Sequence, residues 1–174
     1  GKVGFAGVPG EDEIYYVSPS YGQRSLGKSG RPLVNGQSIE DYQIHTSEWA
    51  FAPYDVDQLI IPMQDMEPAA IRHLWPLRTT AENIKGFGGS RKALGKAWWG
   101  WQQWAVERHA SPLLIVYAYV TTSVEFALRR DPWVAINHAA PVVKLPAGAV
   151  EDDYLGLVGV LNSSTACFWL KQVS

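Results

Sequence analysis

Residues 22–29, GQRSLGKS, match the phosphate-loop spacing G-x-x-x-x-G-K-[ST] in full. In that chemistry backbone N–H groups cradle phosphates, the lysine reaches the outer phosphates and the hydroxyl meets magnesium. Such a loop works between a buried strand and a helix that begins immediately behind it, because the helix N-terminus supplies the field that holds the anion. Ile14, Tyr15, Tyr16 and Val17 read as the strand. Behind Ser29 come Gly30, Arg31 and Pro32 and then an extended LVNG, with no apolar repeat of helical period. No later apolar strand ends in a magnesium-holding aspartate: LLIVYAYV (113–120) runs into Thr121 and Thr122, and LIIPMQD (59–65) is interrupted by Pro62. GQRSLGKS is therefore expected to be a flexible polar loop, with a nucleotide-binding domain using Lys28 and Ser29 as the rival reading. Ser25 and Lys28 also form S-x-x-K, but its companions S-D-N and K-T-G are missing.

The other residues with chemistry to offer are cations and tryptophans. KGFGGSRKALGKAWWGWQQWAVERH (85–109) carries Lys85, Arg91, Lys92 and Lys96 just ahead of Trp98, Trp99, Trp101 and Trp104. On a helix Trp98, Trp101 and Trp104 share a face. Two uses compete for them: burial in the core, or stacking on exposed bases or sugars with the cations on phosphate. GFGGSRK reads as a mobile glycine loop leading into a helix N-terminus, a place for phosphate contact, or as a plain connector. In FALRRDPW (126–133), Arg129 and Arg130 lie between two strand-like segments, either at a hairpin tip that meets bases or as solvated loop charges. Arg24, Lys28 and Arg31 of the polar loop join the same group of possible phosphodiester contacts. Hydrolytic constellations are absent: there is no G-x-S-x-G and no H-E-x-x-H, and EDE and EDD stand where helix starts favour carboxylates.

The elements that must position these residues read as strands near 13–18, 44–52, 58–62, 113–120, 132–137 and 140–145, and helices near 67–84, 91–109 and 152–172. The last helix carries Leu155, Val158, Leu161 and Phe168 at helical spacing and is expected in the core. Strands come in groups, which favours an α+β fold, a mixed or antiparallel sheet packed with about three helices. A chain of 174 residues reads as a single domain, 1–174, able to bury roughly 70% of its unfolded surface.

The net charge of −2 is unevenly spread. Residues 1–71 hold 4 Lys+Arg and 10 Asp+Glu, residues 72–109 hold 7 and 2, and residues 110–174 hold 4 and 5. A basic middle segment can attract polyanions, or it can pair with its acidic neighbour. The single cysteine, Cys167, reads as a small packed hydrophobe, and with four scattered histidines at no ligand spacing the composition points to an intracellular, cytoplasmic protein without a metal site. The longest apolar run is too short for a membrane span. GKVGFAGVPG is no signal peptide and lacks an initiator methionine, so the chain is expected to be an excised piece.

Three stretches together, PLVNGQSIEDYQI (32–44), WAFAPYD (49–55) and LVGVLNSSTACFWLKQVS (157–174), resemble the C-terminal target-recognition region of large adenine-specific DNA methyltransferases of the PglX type, found in BREX and phage-growth-limitation defence systems. The resemblance covers about residues 31–174. It implies double-stranded DNA as partner, and a separate catalytic domain of the same chain that binds S-adenosylmethionine and flips adenine into an Asn-Pro-Pro-Tyr/Phe site. The chain has no Asn-Pro-Pro segment and no glycine motif for that cofactor, so the resemblance implies a non-catalytic DNA target-recognition fragment without a cofactor of its own. It also makes the LNSS helix, with Asn162 and Ser163, a structural element. Lys85, Arg91, Lys92 and Lys96 are expected on phosphate, and Arg129 and Arg130 on bases or phosphate. A tryptophan-rich module for protein or sugar is the third class.

Overall fold

The computed structural model describes residues 1–40, 42–86, 88–120 and 125–173. Two four-stranded sheets organise the chain. The first is wholly antiparallel, in the order Lys2–Gly4, Val142–Lys144, Leu114–Tyr117, Phe126–Arg129. The second runs Ala135–Ile136, Gly30–Val34, Glu48–Phe51, Tyr16–Val17, with a parallel first pair and antiparallel pairs after it. The fold is α+β with mixed and antiparallel sheets, as the grouping of strands predicts.

Period-2 alternation sorts the apolar side chains into layers. In Leu114–Tyr117, Leu114 and Val116 face an inter-sheet core with Val34, Ala127, Ile136 and Val142, while Ile115 turns the other way toward Phe126, Leu128, Tyr154 and Val158. Both faces are buried over Leu114–Val116, which accounts for the apolar start of LLIVYAYV, whereas Tyr119 and Val120 at its end are exposed. In the second sheet Val34 and Ile136 face the same inter-sheet core, and their neighbours Leu33 and Ala135 face a third cluster with Ala70, Leu74 and Ala81. The layers are therefore helix Glu151–Leu161, first sheet, second sheet, then the helices Pro68–Leu74 and Arg78–Asn83. Among the described residues no helix is long and apolar enough to cross a membrane.

Several expected elements differ. The stretch expected as a strand at 13–18 begins with a helical turn, Asp12–Tyr15, and is extended only at Tyr16–Val17. The run expected as a helix at 91–109 is a series of turns, with an extended pair Gln103–Trp104 and a single helical turn Val106–His109. Gly95, at φ 63°, takes a left-handed conformation that a continuing helix does not allow. The long C-terminal helix is split into Glu151–Leu161 and Ser164–Val173. Its expected core face is only partly buried: Val158 is covered, whereas Leu155 and Phe168 are exposed.

The split has a specific cause. The Asn162 amide leaves the helix to donate to Phe126 O at 2.7 Å and to accept from Phe126 N at 2.9 Å. One side chain thus gives an edge strand the two bonds that another strand would have supplied. Ser163 Oγ then accepts from Ala166 N at 3.2 Å, capping the next helix.

Candidate functional site

The segment 84–103 carries three of the cations that reach solvent, Lys85, Lys92 and Lys96. Lys85–Gly86 and Gly89–Ser90 form a short antiparallel hairpin, closed through Gly88 at φ 93° and Gly89 at φ 135°. No helix follows it, so the helix N-terminus expected behind GFGGSRK is not formed; Phe87 lies outside the described residues. Lys92 N donates to Glu82 O at 3.0 Å and Lys96 N to Arg91 O at 3.0 Å, which folds the turns back against the helix Arg78–Asn83. Lys85, Lys92 and Lys96 are all exposed. Among the described residues none of their ammonium groups lies in an ion pair; the pairs present join Lys2 to Glu107, Arg78 to Glu82 and Arg130 to Glu151. The segment is therefore a local cluster of unneutralised positive charge on a chain of net charge −2.

Arg91 does not belong to that surface. It is 2% exposed. Its Nη1 donates to Tyr15 OH at 2.5 Å and its Nη2 to Pro9 O at 2.7 Å, with Ala81 O and Trp98 O each 3.3 Å away. One guanidinium ties the N-terminal stretch 9–15 to the end of the helix Arg78–Asn83 and to the turn at Trp98, a use that its planar set of donors suits. Burial also pushes the Tyr15 phenol up, with Arg91 partly opposing the shift. The expected phosphate contact by Arg91 is thereby corrected: its donors are spent inside.

Arg129 meets the same fate. It ends the strand Phe126–Arg129, opposite Leu114, and donates to Ser111 O at 2.8 Å. Burial lowers its pKa to about 10. The next strand, Ala135–Ile136, belongs to the other sheet, so there is no hairpin tip. Arg130 alone faces solvent, with Nε 2.7 Å from Glu151 Oε1 in a half-exposed ion pair. Arg31 is likewise internal: it donates to Gln58 Oε1 at 2.8 Å and Tyr54 O at 2.5 Å and lies 4.1 Å over the Trp133 ring. Nothing local in the sequence separates these three arginines from Arg130.

GQRSLGKS is not a phosphate loop. Gly22 to Ser25 are the last turn of a helix, Pro19–Ser25, and Gly27–Ser29 form a 3-10 turn. Gly22 N is already bonded to Ser18 O and Ser29 N to Leu26 O, and the Ser29 hydroxyl is buried. Gly22 is required for packing: a Cβ there would come 2.7 Å from the Trp49 ring. The expected extended segment behind it is present as Gly30–Val34, whereas the expected flexible loop is helical.

The tryptophans are core. Trp98 and Trp101 are buried, Trp101 Nε1 donates to Phe51 O at 2.8 Å, and Trp99 Nε1 donates to Ile61 O at 3.0 Å. Trp104 is stacked between Tyr54, centroids 3.9 Å apart, and His109, 3.5 Å apart. His109 is pushed down to about 3, first by burial and then by the charges of Arg31, Arg129 and Arg108. Since Ala105 O can only accept, the His109 Nδ1 facing it at 3.3 Å carries the proton, and Nε2 accepts from Ile136 N at 3.4 Å. Stacking on sugars or bases by this cluster is thereby excluded as a use of Trp98, Trp101 and Trp104.

Sequence reasoning missed the clefts beside the lysines. One, of about 550 Å³, is lined by Phe5, Val8, Lys85, Gln102, Gln103 and His138. A second, of about 760 Å³, shares His138 and is lined by Asn35, Gln37, Glu40, Glu48 and Asn137 among others. The first is built at the pair Gly7–Val8 and Gln103–Trp104, the second among residues as far apart in sequence as Asp12 and His138, and no local motif announces either meeting.

No family model matches the chain. It is 36% identical over 176 residues to the adenine-specific methyltransferase PglX of Streptomyces coelicolor, in an alignment covering 99% of this chain. The chain spans only 14% of that relative's length. Among solved structures, its fold is similar to part of the Type IIL restriction-modification enzyme MmeI in complex with DNA, with a TM-score of 0.56 over 90% of this chain and 20% of that one, at 14% sequence identity. The chain is thus related end to end to a segment of a methyltransferase, and shares a fold with a segment of a restriction-modification enzyme.

Proposed function

We propose that this chain is the DNA target-recognition part of a larger adenine-specific, S-adenosylmethionine-dependent DNA methyltransferase of a phage-defence system of the BREX or phage-growth-limitation type, acting in the cytoplasm. The observation that carries the reading is the end-to-end likeness to a segment of PglX. The three uncommitted lysines on one turn segment supply a matching physical means, since phosphate neutralisation dominates affinity for duplex DNA. Double-stranded DNA and the catalytic domain of the same parent are the partners. The parent's methyl transfer and its cofactor belong to that other domain, because this chain carries no Asn-Pro-Pro segment.

Lys85, Lys92 and Lys96 are the phosphate contacts in this reading. Arg130 is a fourth: an exposed ion pair is worth little, so Glu151 can be exchanged for a phosphate at small cost. The test is fluorescence anisotropy of a labelled mixed-sequence duplex across a salt series, with ATP as a control ligand. The expected result is binding at low salt that weakens with a log–log slope of about −0.9 for each phosphate engaged. Absence of binding at low salt, or binding indifferent to salt, would overturn the reading.

A further inference from the structure

The 550 Å³ cleft beside the lysines has an unusual lining for a surface that attracts phosphate. Among the described residues Lys85 is the one lysine or arginine lining it, and the remaining side chains are the amides of Gln102 and Gln103, the His138 imidazole, the Phe5 ring and Val8. Its backbone is held from several sides. Gln103 pairs with Val8 across an antiparallel ladder, Gln102 donates from Nε2 to Lys85 O at 2.7 Å, and Arg108 donates to the carbonyl of Phe5. Against this frame two side chains are left uncommitted. The Gln103 amide is exposed and has no hydrogen-bond partner among the described residues. The Phe5 ring is 42% exposed, set edge-on to Tyr119 at 6.0 Å and His138 at 6.4 Å.

The neighbouring cleft sets the direction of approach. Asp12, Glu40 and Glu48 line it, so a phosphate chain is repelled there and drawn to the Lys85 side. With the backbone on Lys85, the group that enters the first cleft is a base edge. An amide offers one donor and one acceptor in a plane, which matches adenine N6–H and N7 in the major groove, and an exposed apolar ring matches the thymine methyl of the same pair.

We propose that this cleft reads an A·T base pair in the major groove, Gln103 taking adenine N6 and N7, Phe5 packing on the thymine methyl and Lys85 holding the adjoining phosphate. The inference rests on the DNA-binding reading above, and adds to it the base pair and the residues that select it.

The experiment begins with selection of preferred duplexes from a randomised library by the 174-residue chain. Anisotropy titrations of the selected duplex then use four forms: unmodified, A·T replaced by G·C, 7-deazaadenine at the adenine, and uracil at the thymine. The expected loss on replacing A·T by G·C is about tenfold, the order of one bidentate base contact. Gln103→Ala should abolish sensitivity to 7-deazaadenine, and Phe5→Ala should abolish sensitivity to the missing methyl. Both variants should retain low-salt binding to arbitrary duplex and an unchanged melting temperature for Gln103→Ala. Full base preference in both variants, equal binding of every duplex by the unaltered chain, or tighter binding of the single strands than of the duplex would overturn this inference and leave the DNA-binding reading standing. No binding to any duplex at low salt would bring down both.

Discussion

Arg91 and the lysines that flank it in the basic middle of the chain have opposite fates. Arg91 lies within seven residues of Lys85, Lys92 and Lys96, yet it is sealed inside with four hydrogen-bond acceptors around it while the lysines stand in solvent. Arg31 and Arg129 repeat the pattern in the sheets. A guanidinium brings five donors in a plane and sheds its water more readily than an ammonium, so it can satisfy several carbonyls at a junction of chain segments. A lysine offers a compact, strongly hydrated charge that stays outside unless a carboxylate draws it in. In the segment 85–96 the buried arginine holds the frame, and the exposed lysines are what remains for a polyanion to meet.

That contrast can be broken most directly at Arg91. Arg91→Ala removes the guanidinium bonds to Tyr15 OH, Pro9 O, Ala81 O and Trp98 O and leaves a cavity in the interior, and is expected to cost about 3 kcal/mol or more in a denaturant melt. Lys92→Ala, one residue away and exposed, should leave the melt within about 0.5 kcal/mol. A destabilisation as large at Lys92 as at Arg91 would erase the distinction. Next in size is the triple replacement of Lys85, Lys92 and Lys96 by alanine. It should weaken duplex binding at low salt by more than about tenfold and make the salt slope shallower by about 2 to 3, with the fold intact.

A structural amide sharpens the frame side of the comparison. Asn162→Ala removes both bonds to Phe126 and is expected to cost about 1–2 kcal/mol, read as a lower denaturant midpoint without loss of basal duplex binding. The smallest effect is expected from His109, which lies among the buried arginines. Its folded pKa, about 3, is below the ordinary histidine value, so the unfolded chain takes up a proton first as pH falls. Stability from this group is complete above about pH 6.5 and is lost as pH drops from there toward 3. Melting temperature should therefore decline from pH 7 to 5.5 in the parent chain and more shallowly in His109→Gln; parallel curves would rule out His109 as the source.

The amino-acid sequence by itself settled what depends on local pattern. The apolar run at 113–120 marks a strand, present as Leu114–Tyr117, and Gly30, Arg31 and Pro32 behind Ser29 rule out the helix that a phosphate loop needs. The grouping of strands indicates α+β, and tertiary structure agrees because alternation and proline positions act within a few residues. Tertiary structure decided the rest. The 91–109 run has helical spacing of tryptophans, but Trp98 and Trp101 gain more by entering the core around Tyr15 and Phe51 than by lining a helix face, and Gly95 lets the chain turn. Which arginines are internal depends on carbonyls 10 to 82 residues away, as with Ala81 and Pro9 at Arg91, and no local window contains them. The cleft between Lys85, Gln103 and Phe5 depends likewise on where separate ladders meet. Local spacing states what a residue can do, and long-range hydrogen bonding determines whether it is still free to do it.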